Sequence, residues 1–147
     1  MALWQYDFYL IPEHLRKQKE IDSHNIDDFD ISINIKENTL KSIENVLHPS
    51  NSWSTSIRQY GDIDGTCIEL YIKDSNIKSI QVRLDLTSLT GTQLDVLIQF
   101  AKDNNLNLLL EDSLFDANRE DIENALKESK AFRFVKDPRS FLSKLWM

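Results

Sequence analysis

Ile68-Glu69-Leu70-Tyr71-Ile72-Lys73 and Ile77-Lys78-Ser79-Ile80-Gln81-Val82-Arg83-Leu84-Asp85-Leu86, separated by Asp74-Ser75-Asn76, decide the fold. Ile68, Leu70 and Ile72 fall on one side of the first run, and Ile80, Val82, Leu84 and Leu86 on one side of the second. A period of two is the mark of half-buried strands, and the polar triplet between them is a turn. Upstream, Trp4, Tyr6, Phe8 and Leu10 alternate with Gln5, Asp7 and Tyr9 until Pro12 ends the run, which predicts a strand over residues 3–11. Downstream, Thr90-Gly91-Thr92-Gln93 resembles a capping box and opens a helix on Leu94, Leu97, Ile98 and Ala101, closed by Asn104-Asn105. Leu106, Leu108 and Leu110 then alternate as another strand.

The remaining elements are placed by the same signals. Phe29, Ile31, Ile33 and Ile35 alternate with polar residues and predict a peripheral strand, and Leu40, Ile43 and Leu47 predict a short helix capped by Asn38. Trp53, Thr55 and Ile57 could begin a strand that Gly61-Asp62-Ile63-Asp64-Gly65 ends as a turn. Ile122, Ala125 and Leu126 mark an amphipathic helix, and Asp137 followed by Pro138 predicts a last one burying Phe141, Leu142 and Leu145. The order strand, helix, strand, strand, helix, strand, then helices predicts an α+β fold. It is the split βαβ antiparallel sheet of the ferredoxin-like type, with an inserted strand region and a C-terminal helical extension. With 147 residues, no repeat and only three Gly and three Pro, residues 1–147 are expected to form one domain.

In that topology residues 3–11 and 77–86 are central neighbours, and their outward residues define a second sheet face. Gln5, Asp7, Tyr9, Gln81, Arg83 and Asp85, flanked by Glu69, Tyr71 and Glu111, populate it. Three readings of this face compete. It is a solvated surface on which Arg83 pairs with Asp7 or Asp85, or a second core layer under Phe132, Phe134, Phe141 and Trp146. The third is an acidic partner-binding platform of Asp7, Tyr9, Glu69, Tyr71, Asp85 and Glu111, with the tyrosines as anchors. The polar segment over residues 13–28, with Asp22, Asp27 and Asp28, is the next candidate surface.

Composition narrows the chemistry. Asp and Glu number 24 against 17 Lys and Arg, a formal net charge of −7, which disfavours nucleic acid and anionic membranes and favours a basic protein partner. One cysteine, Cys67, rules out an intrachain disulfide and fits a reduced cytoplasm; on a strand with no basic motif beside it, it reads as a structural thiol. The N-terminus lacks a signal-peptide pattern, and no stretch approaches transmembrane length. Asp62-Ile63-Asp64-Gly65 resembles a fragment of a calcium loop but lacks the later ligands, so a tight turn is expected. His14, His24 and His48 are scattered, and no phosphate loop or nucleophile elbow occurs, so no catalytic residue, metal or cofactor is expected.

The series Trp4-x-Tyr6-Asp7-Phe8-Tyr9-Leu10, Tyr60-Gly61-x-x-Asp64, Val82-Arg83-Leu84-Asp85-Leu86 and Phe134-Val135-x-Asp137-Pro138 resembles small bacterial immunity proteins. These are encoded beside polymorphic toxins, including those of contact-dependent growth inhibition systems. The resemblance is one of general style across most of the chain. It implies non-enzymatic, stoichiometric binding to a cognate toxin domain, often a basic nuclease, inside the cell that makes both. The alternatives are a ferredoxin-like small-ligand regulatory domain and, third, a carboxylate-based enzyme using Asp7, Asp85 and Glu69.

Overall fold

The structure, a computed structural model, describes residues 3–17 and 31–134. Among these residues the chain is an α+β fold, with one open antiparallel sheet of seven strands and three α-helices. The strands are β1 (Gln5–Pro12), β2 (Pro49–Ser50), β3 (Ile57–Gly61), β4 (Cys67–Lys73), β5 (Asn76–Asp85), β6 (Leu106–Leu110) and β7 (Ser113–Phe115). The helices are α1 (Glu37–Val46), α2 (Gly91–Asp103) and α3 (Arg119–Glu128), with 3-10 turns at Glu13–Lys17 and Lys130–Phe134. Strand order across the sheet is β2-β3-β4-β5-β1-β6-β7, so β1 and β5 lie side by side near its middle.

The β4–β5 hairpin turns on two residues, Asp74 and Ser75, with φ of 53° and 65°. Positive φ at both central positions marks the tight turn whose twist matches that of antiparallel strands. The register then slips between Tyr71 and Ile72: Ile72 faces Ile77 while Tyr71 faces Ser79, leaving Lys78 as the extra residue. Beyond this bulge Ile80, Val82 and Leu84 line up with Leu70, Ile68 and the β1 residues Leu10, Phe8 and Tyr6. These side chains share one buried core with Leu40 and Ile43 of α1 and Leu94, Leu97, Ile98 and Ala101 of α2.

Capping explains where α2 and α1 begin. Thr90 Oγ1 accepts from Gln93 N and Gln93 Oε1 accepts from Thr90 N, the reciprocal box read from the sequence. Helix α1 starts earlier than expected: its cap is Lys36, not Asn38, and no side chain of its own closes it. Asn104, at the C-terminal end of α2, does so instead. Its Oδ1 accepts from Lys36 N at 2.8 Å, and its Nδ2 donates to Thr39 Oγ1 at 3.0 Å and Phe100 O at 2.9 Å. A remote amide thus replaces the local cap.

Other expectations need correction. Of the strand expected around Phe29–Ile35, the described part makes a single bridge from Ile33 to Ile77, and Phe29 lies outside the described residues. Residues 53–56 form a bend and a turn, and β3 begins only at Ile57. Strand β7 was not foreseen. Helix α3 is where Ile122 and Leu126 placed it, with Asn118 accepting from Asp121 N as its cap. The helix expected at Asp137 and Pro138, burying Phe141, Leu142 and Leu145, lies outside the described residues, as do Trp146, Asp22, Asp27, Asp28 and His24.

Candidate functional site

Register maps the second face of the sheet row by row. Gln5 lies opposite Asp85, Asp7 opposite Arg83, and Arg83 opposite Cys67. In the next row Tyr9 is flanked by Leu109 and Gln81, followed by Glu69 and Gln59. The sequence placed Gln5, Asp7, Tyr9, Glu69, Gln81, Arg83 and Asp85 on one face, and the register brings them there together with Cys67, Gln59 and Leu109. The face is nevertheless closed to solvent over much of its area: Cys67 is 0% exposed, Glu69 6%, Asp85 7%, and Ile11 and Leu109 1% each.

At its centre two carboxylates share one guanidinium. Arg83 Nη1 sits 2.7 Å from Glu69 Oε1 and Arg83 Nε 3.6 Å from Asp7 Oδ2, while Gln81 Nε2 donates to Asp7 Oδ2 at 3.3 Å. Asp7 Oδ1 has no hydrogen-bond partner. Burial raises the Asp7 pKa above the ordinary carboxylate value, against the opposing pull of Arg83. Beside this cluster the Cys67 thiol is pushed up from 9.0 to about 12, first by burial and then by the Glu69 carboxylate. A thiol so raised stays protonated at neutral pH and is a poor nucleophile.

Asp85 is committed elsewhere. Its Oδ1 accepts from Thr87 N at 2.9 Å and Thr87 Oγ1 at 2.6 Å, and its Oδ2 accepts from Ser88 Oγ at 2.9 Å. Asp85 N donates to Thr66 Oγ1 at 2.9 Å. These bonds close the turn after β5, so the side chain serves the fold. Tyr9 is half-buried against the core, whereas Tyr71 is 41% exposed. Glu111 is exposed in the β6–β7 turn at φ 54°, beside the Tyr6 phenol, whose pKa burial and the Glu111 charge both raise. Of the six residues expected to form a platform, then, Asp7 and Glu69 meet in the Arg83 cluster. Asp85 is enclosed, while Tyr71, on β4, and Glu111, in the β6–β7 turn, lie toward opposite ends of the sheet.

Sequence reasoning missed the end of the sheet at which β1 begins. Gln5 Nε2 donates to Ile63 O at 2.8 Å and to Gly65 O at 2.7 Å, fastening the β3–β4 loop to the start of β1. Inside that loop Asp64 N donates to Asp62 Oδ1 and Gly65 N to Asp62 O, both at 2.9 Å, so Asp62 closes a tight turn. Leu3, Trp4 and Ile63 are exposed here at 68%, 39% and 37%. Asp62, Asp64, Glu111 and Asp112 are exposed at the same end, and a cleft of about 550 Å³ beside the β3–β4 loop is lined by Leu47, His48, Gly61, Asp62, Ile63 and Gln93, among others. Its only signal in the sequence was an isoleucine between two aspartates in a turn.

Among the described residues no three His, Cys, Asp or Glu side chains gather as a metal site, and no helix is long and apolar enough to cross a membrane. His14 and His48 are exposed. No protein-family model, curated protein or solved structure matches the chain.

Proposed function

We propose that this chain is a non-enzymatic binding protein of the immunity type, which neutralises a cognate toxin in the cytoplasm by seating on a basic domain. One observation carries the reading: the chain has 24 Asp and Glu against 17 Lys and Arg, and among the residues whose side chains are described twelve exposed ones are acidic and seven are basic. An excess of one sign spread over the surface accelerates encounter with a partner of the opposite sign and disfavours wrong partners. The state of the polar sheet face supports binding over catalysis. Its carboxylates are tied to Arg83 or to the β5 turn, and its thiol is held protonated.

The same reading takes β1, α1, β4, β5, α2 and β6 as a ferredoxin-like core. In support, these strands lie in the order β4-β5-β1-β6, with β5 separating β1 from β4 and antiparallel to both. On this view β2 and β3 are the insertion and β7 an added edge.

The test is co-expression with the product of the neighbouring reading frame. A stoichiometric complex that protects growth and weakens as salt rises is the expected result. Absence of both complex and protection refutes the proposal.

A further inference from the structure

Three of the five large apolar side chains exposed among the described residues, Leu3, Trp4 and Ile63, lie at one end of the sheet. The backbone sets them at the same end: Gln5, next to Trp4, holds the carbonyl of Ile63 itself. We infer that this end is the docking surface, an apolar seat ringed by Asp62, Asp64, Glu111 and Asp112 that takes a basic protein surface carrying an apolar side chain among Lys and Arg. The inference rests on the binding function proposed above and names the surface that performs it.

Charge selects the occupant. The residues that form this end, 3–4, 61–65, 86–88 and 111–112, include four exposed acids and no Lys or Arg. The other two exposed apolar side chains, Trp53 and Tyr71, lie toward the opposite end, where Arg58 and Lys73 are interspersed with Glu37 and Asp74. Such a mixed surface expresses no preference of sign. Clustered apolar exposure marks a contact site, and a ring of one charge around it gives orientation and fast association.

The seat is also preorganised. Two hydrogen bonds from Gln5, a buried side chain at 4% exposure, and the Asp62 turn fix the loop before any partner arrives. Less ordering entropy is then lost on binding. The adjoining cleft places Asp62 at its wall, where a guanidinium or ammonium from the partner gains a charge-assisted hydrogen bond.

Two measurements test the surface separately from the function. In the first, nitrogen-15 chemical shifts are mapped while the peptide acetyl-Arg-Leu-Arg-Trp-Arg-amide is added to the whole chain. Shifts confined to residues 3–5, 62–65, 86–88 and 111–112, and abolished in the Asp62→Asn/Asp64→Asn variant, support the seat. Asparagine at position 62 keeps the Oδ1 that accepts from the Asp64 N–H, so the loop persists. Shifts centred on Trp53 and Tyr71, or none at millimolar peptide, overturn it. In the second, the Trp4→Ala/Ile63→Ala variant is compared with the native chain in binding the neighbouring toxin product. A rise in Kd of about 30-fold or more, with an unchanged melting temperature, is expected for two buried anchors. A variant that binds as tightly as the native chain removes the surface and leaves the function standing. A native chain that binds the peptide at this end but not the toxin removes the function and leaves the surface.

Discussion

Replacing Gly61 with alanine should destabilise the chain by about 2–4 kcal/mol, while the same change at Gly65 should cost less than about 1 kcal/mol. Gly61 has φ of +88°, in the left-handed region where an L side chain meets its own backbone. A Cβ built there would lie 2.3 Å from the Thr66 carbonyl oxygen and 3.0 Å from Cys67 Cα, both backbone atoms that cannot rotate away. Relaxation is opposed on every side. Gly61 N donates to His48 O at 2.8 Å, Gly61 O accepts from Gln59 Nε2 at 3.0 Å, and Gly61 pairs with Cys67 across the hairpin.

The handedness term is about 1–2 kcal/mol and the steric shift about 1–3 kcal/mol, so the lower part of their sum is a conservative expectation. At Gly65 a Cβ would meet nothing closer than 3.7 Å, and φ is not in the positive range. Urea unfolding followed by circular dichroism reads the difference. With a slope of about 2 kcal/mol per molar, the midpoint should fall by about 1–2 M for Gly61→Ala and by no more than about 0.5 M for Gly65→Ala. Equal midpoints for the two variants would refute the placement of the β3–β4 loop, and with it the presentation of Ile63.

Arg83→Met should cost about 3 kcal/mol, because it leaves Glu69 buried and Asp7 half-buried without their cation. Adding Asp7→Asn and Glu69→Gln to it should recover a large part of that loss, and a triple variant no more stable than Arg83→Met would refute the cluster as the cause. Between pH 9 and 12 the unfolded Cys67 ionises while the folded thiol does not, so stability should fall with rising pH, by on the order of 4 kcal/mol in full. Tyr6, raised as well, adds to the loss above its ordinary value of 10.0. Cys67→Ala should flatten this alkaline slope in urea midpoints measured from pH 8 to 11, and an unchanged slope would count against the buried thiol. Thr90→Ala removes the capping box of α2 and should cost about 1 kcal/mol by the same assay, with no change expected at the β1 end of the sheet.

Periodicity and capping are local, and what they control was legible. The alternation of Ile80, Val82 and Leu84 assigned β5, and Thr90 with Gln93 assigned the start of α2, because each signal lies within a few residues of its effect. The cap of α1 was misread because its acceptor, Asn104, is 68 residues from Lys36. Trp53 and Thr55 alternate as a strand would, yet Ser54 O accepts from Ile57 N and closes the backbone into a turn before pairing begins. Strand β7 has three residues, too few for a period of two to show.

The candidate site divides along the same line. Alternation decides which side of a sheet a residue occupies, and Asp7, Arg83, Glu69 and Cys67 do share a side. It does not decide whether that side faces water, because burial there depends on what crosses it. Each carboxylate on this face met a different fate for that reason: Glu69 lies under 7% exposure with Arg83, Asp85 is drawn into the β5 turn, and Glu111 stays in solvent. A charged residue on a strand is therefore not by itself a sign of an open surface. The exposed acids Asp62 and Asp64 lie instead in a loop held by Gln5, a neutral side chain that neither charge nor periodicity marks. Its two hydrogen bonds hold the carbonyls of Ile63 and Gly65, and so one buried amide fixes the loop that carries Asp62, Ile63 and Asp64.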